Sequence, residues 1–431
     1  MFKTLRNAWA IPDLRHRMLY TLLMIFVFRL GSYIPVPGLE AGALSSMFGN
    51  GEANNLFTML NAFSGGAFAN ATIFAMGITP YINSSIIMQL LTVAVPYLER
   101  VSKEGEEGRR IIAKWTRFGT IILAVIQATG LFFAIKNSLG YESVWMGYLT
   151  IVITFTAGTA FLMWLGEQIT EKGIGNGISM IIFAGILAGM PSMIGNLWAG
   201  LKVDSSATNI ITVIGVFVVA ILMIVFVVFM DNADRRIPVQ YAKRMVGRKM
   251  YGGQSTHIPI KVVMTGVIPI IFAMSIMSFP QTIMSFVSYD PTTKTGWWAA
   301  IMRQFATISP VYMILYFLLI VFFTYFYTAI QFNPVEISNN LKRNGGFVPG
   351  IRPGKPTSDY VSKILTRITL VGAFFLGVVA VIPMILSAVT ENAAFYSIGG
   401  SSLLIIVGVA LETTKQLESQ MLMRHYKGFL E

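Results

Sequence analysis

The chain has 431 residues, of which 55% are hydrophobic and only 12% charged, and it carries a formal net charge of +12. That balance excludes an ordinary soluble enzyme and points to repeated crossing of a lipid bilayer. Cysteine is absent, which excludes disulfides, thiolate chemistry and Cys-type metal sites.

Residues 1–17 place Phe2, Leu5, Trp9 and Ile11 among Lys3, Arg6, Arg15 and Arg17. The spacing predicts an amphipathic helix lying on the inner leaflet against anionic lipid, with a mobile basic tail as the plainer reading. Ten apolar runs follow, centred on 18–34, 72–95, 116–135, 147–165, 178–198, 209–230, 262–287, 309–330, 365–389 and 399–411. At about 1.5 Å per residue, runs of this kind cross a hydrocarbon core of about 30 Å. The tenth is short and reads as a span or a re-entrant helix; Lys415, Arg424 and Lys427 after it favour a span. No cleavable signal peptide is expected, because the first run leads into Tyr33-Ile34-Pro35-Val36-Pro37 rather than a small-residue cleavage pattern.

Charge placement gives the topology. Of the 32 Lys and Arg residues, 27 fall in the N-terminal segment and every second gap thereafter. The opposite side holds only Lys136, Lys202, Lys294 and Arg303, and Arg29 lies inside the first run. The positive-inside rule then puts both termini in the cytoplasm. Ten spans divide into five plus five, and an odd count makes the second half enter from the opposite side, as in an inverted repeat. The expected organisation is a cytoplasmic segment 1–17, an N-terminal half 18–198, an external hinge linker 199–208, a C-terminal half 209–418 and a cytoplasmic tail 419–431. Arg29, toward the outer end of its run, is expected to snorkel or to pair with Glu40 or another external group.

Three segments do not span. Residues 38–71 form a long external stretch with a short apolar pattern, Leu56, Phe57, Met59, Leu60 and Phe63, broken by Ser64-Gly65-Gly66. It is too short to cross and too apolar for water, so it folds back into the protein or lies on the outer leaflet. The cytoplasmic loop 231–261 carries Arg235, Arg236, Lys243, Arg244, Arg248 and Lys249, and its alternation predicts a β-hairpin around Lys243–Arg248. The cytoplasmic loop 333–364 contains Gly345-Gly346-Phe347-Val348-Pro349-Gly350-Ile351-Arg352-Pro353-Gly354. So much glycine and proline holds a fixed turn with Arg352 at its tip.

Enzyme motifs fail. Gly354-Lys355 lacks the first glycine and the Ser or Thr of a phosphate loop, since Pro349 and Pro356 occupy those places. Gly173-Ile174-Gly175-Asn176-Gly177 lacks the third glycine of a dinucleotide fingerprint and reads as a tight turn between helices. No Ser-His-Asp set or paired intramembrane carboxylates occur, and His16, His257 and His425 are too scattered for a metal cluster. Neither cofactor nor metal is expected. The spans instead hold isoleucines at one-turn spacing: Ile82 and Ile86 after Pro80, Ile182 and Ile186, and Ile271 after Pro269. Such residues either pack against lipid and neighbours or close a pore by dewetting. The second run also carries Asn83, Ser84, Ser85 and Gln89, which must meet another helix or water.

Five stretches in order carry a resemblance: Gly77-Ile78-Thr79-Pro80-Tyr81-Ile82, Gln89-Leu90-Leu91, Gly173 to Ser179, Gln254-Ser255-Thr256-His257-Ile258-Pro259 and Phe347 to Gly354. Over essentially its whole length the chain resembles the SecY family, the channel subunits of the bacterial protein translocase. The resemblance implies an all-α polytopic membrane protein with ten transmembrane helices in two inverted five-helix halves around an hourglass pore. It implies a pore ring of Ile82, Ile86, Ile182, Ile186 and Ile271, with Ile405 chosen for the tenth span from Leu403-Leu404-Ile405-Ile406. It further implies a plug at 55–66 and a lateral gate formed by the second and seventh spans with the third and eighth, with Asn83, Ser84, Gln89, Ile276 and Phe279 at its seam. The cations of 235–249 and Arg352 would dock the SecA ATPase or the ribosome, SecE would clamp the halves, and SecG would join at the periphery. Signal sequences and nascent polypeptide would be the cargo, and the bacterial plasma membrane the location. The alternative from a different class is a five-plus-five secondary transporter of a small solute, disfavoured by the lack of midplane carboxylates.

Overall fold

A computed structural model describes residues 2–39, 61, 64–135, 144–203, 207–241, 244–246, 249–251, 255–286, 304, 309–390 and 400–427. The chain divides into two compact units, one of residues 1–215, 274–313 and 405–431 and the other of 216–273 and 314–404.

The first unit opens with α1 (Phe2–Ala10) and α2 (Pro12–Gly31). The amphipathic 1–17 segment is therefore not one helix. Pro12 clashes with a helical predecessor, so Ile11 is extended (φ −90, ψ 117) and a new helix starts with Pro12 in its first turn. Ala8 and Leu14 bury against Ile174 and Leu417, which docks α1 onto the protein, and the Thr4 hydroxyl donates to Glu418 at 3.0 Å. Next come α3 (Thr79–Ala94) and α4 (Pro96–Lys103), bent from each other by 100° where Pro96 holds Val95 extended. On α4, the Lys103 ammonium donates to the Glu99 carboxylate at 2.6 Å.

α5 (Glu106–Ile135), α6 (Val144–Lys172) and α7 (Gly177–Val203) complete the run of helices. The Arg117 guanidinium of α5 meets Glu167 of α6 at 2.8 Å. The glycine-rich link between α6 and α7 is a tight turn, as its sequence predicts. Gly175 is left-handed at φ +83, Asn176 accepts from the Ile178 and Ser179 amides, and Thr21 of α2 accepts from Ile174. One apolar core gathers Val36, Phe68, Ala71, Met76, Phe132, Ile151 and Phe155.

α8 (Ala207–Asn232) leads into the second unit. There the loops 231–261 and 333–364 depart from an all-helical protein. β1 (Asp234–Tyr241) and β4 (Ser255–Lys261) pair antiparallel, with Ile237 opposite Ile258. Between them β2 (Arg244–Val246) and β3 (Lys249–Tyr251) form the expected hairpin. α9 (Ile268–Phe286) and α10 (Pro310–Gln331) follow, with the Phe272 ring edge-on to Phe323 and Tyr327. α11 (Pro334–Arg343) is capped by the Asn333 side chain, and β5 (Gly346–Phe347) adds to β1 as the third strand. α12 (Lys355–Thr390) and α13 (Gly400–Lys427) end the chain.

Among the described residues five helices are long and apolar enough to cross a membrane, those at Glu106–Phe133, Val144–Lys172, Val213–Asn232, Pro310–Arg343 and Lys355–Val389, and the bent α3–α4 pair passes as a sixth. The other four expected runs are also helical, in α2, α7, α9 and α13. The tenth apolar run sits in a longer helix: α13 continues unbroken for 28 residues, because Leu, Met, Glu, Gln, Lys and Arg, which dominate Glu412 to Lys427, favour helix whatever their polarity.

Candidate functional site

Ile82 and Ile86 are buried on one face of α3, and Ile182 and Ile186 are buried on α7. All four lie in the first unit. Ile271 is buried on the part of α9 that belongs to the second unit. On α13, Leu403, Leu404 and Ile405 are all buried and Ile406 is half-buried, so burial alone selects no single residue.

The polar residues of α3 divide. Ser84 donates to the Thr116 carbonyl of α5 at 2.7 Å, and a Cβ on Gly119 would stand 2.5 Å from its hydroxyl. Its hydroxyl therefore serves the close approach of α3 and α5. The Asn83 Oδ1 is buried without a hydrogen-bond partner among the described residues. Gln89 is half-buried on α3, as is Ile276 on α9, where Phe279 is exposed at 38%.

The apolar residues expected in the external segment, Leu56, Phe57, Met59, Leu60 and Phe63, lie outside the described residues. The root of that segment is held by its own hydrogen bonds. The Asn61 carbonyl accepts from the Gly66 amide at 2.9 Å, its side chain accepts from Ala69 at 2.9 Å, and the Ser64 hydroxyl accepts from Phe68 at 3.1 Å. Arg29 of α2 reaches this root. Its Nη1 donates to the Gly65 carbonyl at 3.0 Å and its Nη2 to the Tyr33 hydroxyl at 3.1 Å. Glu40, the partner considered from sequence, lies outside the described residues. A backbone carbonyl leaves no mark in sequence, so reading side chains could not have found this contact.

The loops 231–261 and 333–364 form one body. β5 of the second loop pairs with β1 of the first, and Ile237, Val239, Ile260, Leu341, Val348, Val361 and Leu365 share a core. Arg235 and Arg236 are exposed on β1, and Arg236 meets Asp234 at 3.0 Å. Arg244 and Lys249 sit in the hairpin strands, whereas Lys243 and Arg248 lie outside the described residues. The Arg352 loop is held from beneath. Ser338 donates to the Gly354 carbonyl at 2.7 Å, Thr357 donates to the Arg352 carbonyl at 2.8 Å, and Ile351 donates to Val348 at 3.0 Å. The Arg352 backbone is thus tied to the first turn of α12 through the Thr357 hydroxyl, while its guanidinium is exposed and makes no hydrogen bond or ion pair among the described residues.

The SecY family profile matches residues 72–414. Over the full length of both chains, the sequence is 47% identical to the SecY protein translocase subunits of Halalkalibacterium halodurans and Bacillus subtilis. The chain belongs to the SecY family. Solved structures agree on the SecY fold: a protein-conducting channel superposes with a TM-score of 0.67 at 19% identity, covering 94% of this chain and 92% of that one. A SecY channel described by its plug domain gives 0.66 at 19% identity, with the same coverage, and Sec61 from a canine ribosome–channel complex gives 0.62 at 17% identity. As a SecY family member the protein is a multi-pass membrane protein that conducts polypeptides as part of the translocase and catalyses no reaction itself. The small-solute transporter alternative falls.

Proposed function

We propose that the chain moves unfolded secretory proteins across the bacterial plasma membrane and releases membrane proteins sideways into it, through a pore between two inverted five-helix halves with both termini cytoplasmic. In this reading Ile82, Ile86, Ile182, Ile186, Ile271 and Ile405 form the constriction, and 55–66 is the external plug. Asn83, Ser84, Gln89, Ile276 and Phe279 line the lateral gate. Branched apolar side chains seal by dewetting and grip no particular residue of a passing chain. SecE and SecG complete the channel, and SecA or the ribosome drives it by docking on the joined cytoplasmic loops. The Sec61 and Ssh1 relatives of known structure are ribosome-bound, which supports that arm.

The observation that carries the reading is the pair of buried isoleucine doublets, Ile82 with Ile86 and Ile182 with Ile186, on helices of a chain with almost no charge in its spans. The absence of cysteine permits a direct test. Ile182→Cys combined with Ile271→Cys is expected to form a disulfide in the resting channel under mild oxidation, and a translocating chain is expected to block it. Failure of the pair to oxidise in the resting channel, with Ile182→Cys and Ile86→Cys failing too, removes the ring.

A further inference from the structure

Arg29 lies inside the first apolar run, where a cation requires a partner. Its partners are a phenol and a carbonyl, and three features meet at that carbonyl. Gly65 is left-handed at φ +65, a conformation that favours glycine. Arg29 donates to it at 3.0 Å. A Cβ at position 65 would stand 2.8 Å from the Arg29 Nη1 and 3.1 Å from the backbone of Gly185. Gly185 lies on α7 between Ile182 and Ile186. The root of the external segment is thus knotted by its own hydrogen bonds, tied to α2 by Arg29, and pressed on the helix that carries two expected ring residues.

We propose that Arg29 is a positioning residue, a latch that holds the root of the external segment on α7 in the resting channel and releases it when α7 moves. The proposal rests on reading that segment as the plug. The choice of acceptor fits a latch. A charge-assisted bond to a neutral carbonyl is directional and stronger than a neutral bond. A carboxylate partner in a low dielectric would hold harder and release less readily.

The test is resting conductance in planar bilayers of the purified channel complex. The variants are Arg29→Met, a deletion of 55–63, both together, Arg29→Lys and Gly65→Ala, with thermal unfolding recorded for each. Losing one charge-assisted bond that the open state lacks is expected to raise the open fraction by roughly ten- to a hundredfold in Arg29→Met. Gly65→Ala should behave alike with Arg29 intact, Arg29→Lys should leak less, and Arg29→Met should add nothing to the deletion. If the deletion leaks and Arg29→Met does not, the latch is wrong and the plug stands. If the deletion does not leak, the plug reading fails and the latch with it. Additive leaks in the double variant also overturn the latch, because Arg29 would then seal by another route. Should Arg29→Met fail to fold, the same comparison with Gly65→Ala and Arg29→Lys decides.

Discussion

Gly346 pairs with Tyr241 across β5 and β1, and a Cβ on Gly346 would stand 2.9 Å from the Tyr241 ring. This contact joins two loops that lie about a hundred residues apart in sequence. Their cations are therefore presented by one body with one core, and the position of Arg352 depends on a strand of the other loop.

Gly346→Val is expected to separate the loops. Overpacking at such a contact costs about 1–3 kcal/mol, enough to lift β5 without unfolding the spans. The expected result is weaker binding of SecA to the purified channel with an unchanged amount of inserted protein. Equal loss of inserted protein and binding would mean that the joint only serves folding.

Among the described residues the Arg352 side chain has no partner, on a loop whose backbone is tied down, so its charge tests docking without disturbing that backbone bond. Arg352→Glu is expected to abolish motor-driven transport while stability and SecE binding hold. Losing one side of a hydrogen-bonded charge pair at an interface costs about 2–5 kcal/mol, and Arg352→Lys, which lacks the fork, should fall between. Stability falling in step with transport would show that the guanidinium works inside the loop.

Ile82→Asn or Ile186→Asn is expected to loosen the resting seal. A polar group at a dry constriction favours water by about 1–3 kcal/mol, so export of proteins with defective signal sequences should rise. Background export from a stably inserted variant would remove these residues from the ring.

Much of the fold was legible in the sequence because hydrophobic runs and glycine turns are local signals. The 173–177 turn and the hairpin of β2 and β3 follow from residue type alone. The break at Ile11 was legible too, from the proline after it, and was hidden by reading 1–17 for amphipathicity only. The β1–β4 pairing was not legible, since its partners are separated by another hairpin, and β5 has only two residues and no period. The extent of α13 was missed because hydropathy marks where a helix enters lipid and is silent on where it ends.

The central claim is that polypeptide passes the isoleucine doublets. A photo-crosslinking residue at position 82 or 182, with a secretory chain stalled midway, tests it most directly, using exposed positions 221 and 374 as controls. The account predicts crosslinks to the stalled chain from 82 and 182 and none from 221 or 374. Crosslinks to lipid or to neighbouring helices alone, at both 82 and 182, would contradict it.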